Sequence, residues 1–225
     1  MKTMHLVSAL SLLAPAAAFA EPPAESLESS SSFDHRVAAP DSALELSVAT
    51  GYSQGGGPVG GGLLHLEDIA SAGAAVEIDA GYRINPTFSI GAYGSFAKYD
   101  NGNRIAGNTD VLGATAGIQA AAHLRPDRSV DPWVSLGAGW KGLWLSPDQG
   151  KNTSLQGLDL ARLQLGVDYR VNEDVAISPV IGGSLGLFVS QDSPMTDGYT
   201  EISDKKVNFT GFAGLAGRFD LGGKR

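Results

Sequence analysis

Few side chains in this sequence are equipped for acid–base or metal chemistry, so each can be weighed in turn. The 225 residues hold 4 His and no Cys, which removes disulfides, thiolate metal sites and thiol nucleophiles. His65 stands beside Glu67 and Asp68. One imidazole with adjacent carboxylates falls short of the spaced ligand sets that hold Zn2+ or Ca2+, so an exposed loop cluster is expected. His123 closes an alternating segment, and no Ser, His and Asp stand at a spacing that defines a hydrolytic triad. A His paired with a neighbour inside the fold is the reading it supports. His35 lies in a Pro-, Ser- and Glu-rich stretch without a ligand partner. Residues 55–62 (GGGPVGGG) are the densest in glycine but lack the Lys and Ser/Thr of a phosphate-cradling loop. No catalytic residue, metal site or cofactor is therefore expected. With 24 Asp+Glu against 16 Lys+Arg and a net charge of -8, the chain is not a nucleic-acid binder, which would need clustered cations.

The charges make sense only once the elements that carry them are found. Period-two patterning recurs in eight segments, at about 43–52, 73–84, 87–99, 111–124, 132–145, 157–171, 175–189 and 207–221. In the second, Ala74, Val76, Ile78, Ala80, Tyr82 and Ile84 alternate with Ala75, Glu77, Asp79, Gly81 and Arg83. Across the segments, ten charged side chains fall on the small or polar face: Glu45, Glu77, Asp79, Arg83, Lys141, Arg162, Asp168, Arg170, Arg218 and Asp220. They are balanced, five of each sign. Lys98 and Asp159 are assigned to the apolar face.

Which face points inward decides the class. A soluble barrel buries its large apolar residues, whereas a membrane barrel turns them to lipid and keeps polar ones in the lumen. Three features favour the second. The charged face is rich in glycine, as a narrow interior requires. The segments are mostly longer than the roughly 5–6 residues usual for soluble strands and satisfy the roughly 9–11 needed to cross a bilayer. Aromatic residues cluster near segment ends, with Tyr52, Phe96, Trp140, Trp144 and Phe209 towards one rim and Tyr82, Phe88, Tyr169 and Phe219 towards the other. That is the girdle expected at two membrane interfaces. The narrow interior, with the first loop, also accounts for the 30 Gly, about 13% of the chain against an average of about 7%.

The ends and joints agree. Residues 1–20 (MKTMHLVSALSLLAPAAAFA) form a basic start, an apolar stretch and an A-x-A-like site, the pattern of a cleaved secretory signal. Residues 21–42 are expected to be a flexible periplasmic segment, and 43–225 the barrel. The joints 125–131 and 172–174 and the one around Asn85-Pro86 are mostly short; 53–72, 100–110, 146–156 and 190–206 are longer. Short periplasmic turns and longer extracellular loops are the usual asymmetry of outer-membrane barrels. Pro179, inside the seventh segment, suggests a local bulge.

On strand number, signal, loop asymmetry and girdles, the chain resembles the small eight-stranded outer-membrane barrels, the class of the OmpA membrane domain and OmpX, over about 43–221. The resemblance implies an all-β, eight-stranded, antiparallel up-and-down transmembrane barrel in the outer membrane of a Gram-negative-type cell. It further implies outer-membrane lipid, lipopolysaccharide and the outer-membrane assembly machinery as partners, and a monomer. The assembly machinery recognises an apolar-alternating last strand; Leu215, Gly217, Phe219 and Leu221 supply it, although Gly222-Gly223-Lys224-Arg225 follow where the class commonly closes on an aromatic. An eight-stranded lumen is just wide enough for side chains to fill. Its charges are expected to form a paired plug, with Glu77 and Asp79 facing Lys141 or Arg162. The function that follows is structural or surface-interacting and non-enzymatic. A small-solute porin is the alternative, and a lipid-modifying barrel enzyme the third reading.

Overall fold

Strands whose two faces differ so sharply must bury one and find an apolar surrounding for the other, and closing the sheet on itself leaves no unpaired edge. The structure is a computed structural model that describes residues 37–62, 64–105, 108–194 and 198–224. The expected signal and most of the segment 21–42 lie outside the described residues. The elements are β1 (Leu44–Gly56), α1 (Leu66–Ile69), β2 (Ala70–Arg83), β3 (Phe88–Asn101), β4 (Thr109–His123), β5 (Val130–Pro147), β6 (Thr153–Arg170), β7 (Val175–Asp192), β8 (Thr200–Glu201) and β9 (Val207–Leu221). From β1 to β7 each strand pairs antiparallel with its chain neighbours. β9 lies between β7 and β1, with Leu44 opposite Leu221, and closes the ring. The two residues of β8 merely extend the edge of β7. The result is a closed eight-stranded antiparallel barrel.

Its polarity is inverted relative to a water-soluble barrel. Ile118 is 74% exposed on the outside, Leu136 and Ile181 62%, while Arg83, Asp131 and Asp168 are fully buried within. Of the girdle aromatics, Tyr52, Tyr82, Phe88, Phe96, Trp140, Tyr169, Phe209 and Phe219 are exposed on the outer face. Trp144, half-buried, packs against Trp140 with ring centroids 5.8 Å apart.

The tight curvature of an eight-stranded wall crowds its concave side, and glycine relieves this in facing pairs. Gly51 lies opposite Gly214, Gly81 opposite Gly91, and Gly117 opposite Gly139. A Cβ at Gly139 would fall onto the Ala116 carbonyl oxygen and 2.6 Å from the Gly117 Cα. Gly139→Val is expected to cost about 1–3 kcal/mol through overpacking, read as a lower urea midpoint for the barrel refolded in phosphatidylcholine vesicles. At Gly183 a Cβ would meet only the Thr210 carbonyl oxygen, at 3.5 Å, so Gly183→Ala should leave the midpoint in place.

Three details depart from the sequence pattern. β5, β6 and β7 each run 18 residues, so the fifth joint shrinks from 146–156 to 148–152. The difference between the two ends rests mainly on 57–69 and 193–206. Pro179 faces outward and leaves the register unchanged: the β6–β7 ladder passes from Gly166–Val180 to Tyr169–Ile177 without a shift. The irregularities sit elsewhere: β7 carries one extra residue, Val189, against β6, and in β6 one extra residue between Asp159 and Arg162 shifts the register against both β5 and β7. This bulge re-phases the strand. Leu158 and Leu160 face outward, and Asp159, which strict alternation assigns to the apolar face, is turned inward and is only 1% exposed.

Candidate functional site: the charged lumen

Alternation along the barrel strands, re-phased at the β6 bulge, aims the polar side chains at one axis, and they settle into layers. At the end where β1 begins and β9 finishes, Glu45 accepts hydrogen bonds from Arg83 Nη2 and Arg218 Nη1, both at 2.7 Å. Arg170 Nη1 donates to Asp220 Oδ2 at 2.8 Å, and Arg83 lies 3.5 Å from the same carboxylate. Arg218 Nε stands 3.4 Å from Asp168. Arg83 also donates to the Pro86 carbonyl at 3.0 Å and Arg170 to that of Glu173 at 3.3 Å, tying the network to the turns beneath it. Chain crosses this end as well: Ala39 N donates to Pro126 O, Asp41 and Lys224 exchange two backbone bonds, and Arg83 N donates to Ala43 O.

One residue that the segment boundaries leave out completes this layer. Asp131 continues the inward face of β5, and its Oδ2 accepts from His123 Nδ1 at 2.7 Å. His123 Nε2 faces Arg218 Nη1 at 3.1 Å. A guanidinium can only donate and this carboxylate only accepts, so the arrangement is that of the Nδ1–H tautomer. Trp133 also points inward, donating to Ser178 Oγ at 3.0 Å with the Arg218 guanidinium 4.7 Å above its ring. Extending the alternation by one position to Asp131 would have found it. Trp133 carries the inward parity already.

The middle layer is Glu77, Arg162 and Gln164. Arg162 Nη2 and Gln164 Nε2 donate to Glu77 Oε2 at 2.7 and 2.6 Å, and Asp79 stands 4.0 Å from Arg162 Nη1. Arg162 lies over the Tyr93 ring at 4.2 Å, and the Tyr93 hydroxyl donates to Asp159 Oδ2 at 2.8 Å. Lys141 does not join Glu77 or Asp79. Its Nζ donates to Asn208 Oδ1 at 2.8 Å, lies 3.5 Å from Thr210 Oγ1 and stands 5.0 Å from the centre of the Phe188 ring. With Asp131 and Asp159 counted, the five cations face seven anions plus His123, so the five-against-five balance does not hold.

The far end is apolar. Val59, Leu66, Ile69 and Ile202 pack from the connections onto Val111, Leu143, Leu145, Leu155 and Phe188 of the wall. The short turn of α1 is held by Gly57 N donating to Glu67 and His65 N donating to Asp68, at 2.9 and 3.1 Å. His65 stands 3.3 Å from Glu67, and Arg104 3.5 Å from Asp68. The His65–Glu67–Asp68 group is thus a loop brace. Among the described residues, metal-ligand spacing occurs at His123, Asp131 and Asp168. There the Arg218 guanidinium already supplies the compensating positive charge. Between the middle layer and the apolar cap lies a cavity of 60 Å3.

No protein-family model and no curated protein sequence matches the chain. Solved structures match in fold. Neisserial surface protein A superposes with a TM-score of 0.53 at 16% identity, over 79% of this chain and 97% of that one. The outer membrane protein OprG from Pseudomonas aeruginosa gives 0.49 at 13% identity, over 80% and 98%. The first of these, together with the closed ring of strands, establishes the fold as that of the small eight-stranded outer-membrane barrels.

Proposed function

We propose that this chain is an integral outer-membrane protein, exported through a cleaved signal over residues 1–20, whose lumen is plugged by paired charges. It serves the envelope as a structural or surface-presenting barrel and is not an enzyme. The observation that carries this reading is the sequence of ion pairs across the lumen, Glu45 with Arg83 and Arg218, Arg170 with Asp220, and Arg162 with Glu77. Charges inside a low-dielectric wall are stable only when paired and hydrogen-bonded, and pairs that span the axis leave little path for a hydrated solute. Against enzyme function, His123 is engaged on both nitrogens by Asp131 and Arg218. Outer-membrane lipid and lipopolysaccharide are the partners that fit the apolar exterior. The alternating Phe219 and Leu221 at the end of β9 fit the assembly machinery, and Gly222 and Gly223, at φ 71° and 98°, turn the tail back to pair with Asp41.

The purified protein in planar phosphatidylcholine bilayers should show no stable, sizeable open steps. Glu77→Ala combined with Arg162→Ala removes only the middle layer and should stay silent, because the layer built on Glu45 remains. Frequent stable steps from the unmutated protein would instead establish the small-solute porin reading. A deletion strain should keep its lipid A and phospholipid mass profiles; a change restored by the intact gene but not by His123→Ala would establish the lipid-modifying one.

A further inference from the structure

The cavity above the Glu77–Arg162 layer carries two buried charges that the ion-pair network does not use. Lys141, 5% exposed, has no carboxylate within 4 Å among the described residues; its contacts are neutral, Asn208, Thr210 and the Phe188 ring. Asp159, 1% exposed, accepts from Tyr93 at Oδ2, while Oδ1 has no hydrogen-bond partner. Both line the same space. Lys141 pairs across strands with Gly157, two residues before Asp159, and its Nζ lies over Gly186, the residue opposite Asp159 on β7. A Cβ at Gly186 would come within 2.5 Å of that nitrogen, so the glycine is what lets the ammonium reach this position. Asp159 reaches it because the β6 bulge turns it inward.

The two attract one another across the cavity without touching, and a buried pair of charges is stable only with close geometry and its remaining hydrogen bonds filled, so each lacks an opposite charge in contact. A lone anion or a lone cation would satisfy one and leave a net charge in the lumen. A molecule that brings a carboxylate and an ammonium together satisfies both and adds no net charge. A void of 60 Å3 holds about four to six waters, space for a molecule of roughly five to eight non-hydrogen atoms. Leu66, Leu143, Phe188 and Phe212 supply apolar wall for a short side chain. We propose that the cavity is a binding site for a small zwitterion of the amino-acid class, its carboxylate on Lys141 Nζ and its ammonium on Asp159 Oδ1. The site needs no conducting lumen, so it stands apart from the plug reading.

Equilibrium dialysis of radiolabelled glycine and L-alanine against the full chain in detergent micelles tests it. Saturable binding at one site per barrel is expected. Acetate and methylamine, each carrying half of the recognition, should compete at least about tenfold more weakly, the loss of one charge-assisted hydrogen bond. Lys141→Met and Asp159→Asn should each weaken binding by a similar factor while the heat-dependent gel shift of the folded barrel persists. If a variant does not fold, the competition series on the unmutated chain decides alone. No saturable binding of either amino acid would mean that the cavity holds water only and would overturn the proposal. Acetate competing as well as glycine would overturn the role of Asp159.

Discussion

Glu45→Ala should lower the stability of the barrel by about 3–5 kcal/mol, the range for breaking a buried ion pair from one side. Glu45 is the one carboxylate that receives both Arg83 and Arg218 at 2.7 Å, and its side chain is 11% exposed. Without it, two guanidiniums remain in the same layer, with Asp220 at 3.5 Å from Arg83 and Asp168 at 3.4 Å from Arg218 as their nearest carboxylates. Those longer contacts recover part of the loss and place the effect towards the lower end. Urea titration of the refolded barrel in phosphatidylcholine vesicles, followed by tryptophan fluorescence, gives the measurement. Glu201→Gln is the control, because its pair with Lys205 lies on the surface and should leave the midpoint unchanged. A Glu45→Ala midpoint equal to that of the unmutated protein would show that water reaches the layer freely, which contradicts a plug.

The second large effect tests the other side of the wall. Ile118 lies near the middle of β4 and is the most exposed of the large apolar side chains. If this surface faces hydrocarbon, Ile118→Arg costs about 2–4 kcal/mol, whereas Leu221→Arg, at the barrel's end, costs about 0–1 kcal/mol, because the penalty depends on depth. The same urea titration reads both. In a barrel surrounded by water, neither substitution would remove a buried contact, and the two midpoints would move together by little. A depth-graded difference is therefore specific to the membrane reading and does not depend on whether the lumen conducts.

The sequence by itself determined the architecture. Period two is a property each strand carries alone, so the eight strands, their inward charges and their outward aromatics could be read one at a time. Closure follows because none of the segments offers an edge fit for water. What escaped this reading has a non-local cause. Asp159 faces the lumen because of a bulge that breaks the phase of β6, visible beforehand only as the adjacent Leu160 and Ala161. Whether Glu77 takes Arg162 or Lys141 depends on the stagger of β2 and β6, strands that do not pair, and no single strand encodes it. The apolar cap comes from Val59, Leu66, Ile69 and Ile202, connection residues with no periodicity to mark them. The tertiary structure thus decided the pairing, and with it the two charges left over around a cavity, because cross-lumen partners are fixed by barrel closure and register rather than by any local pattern.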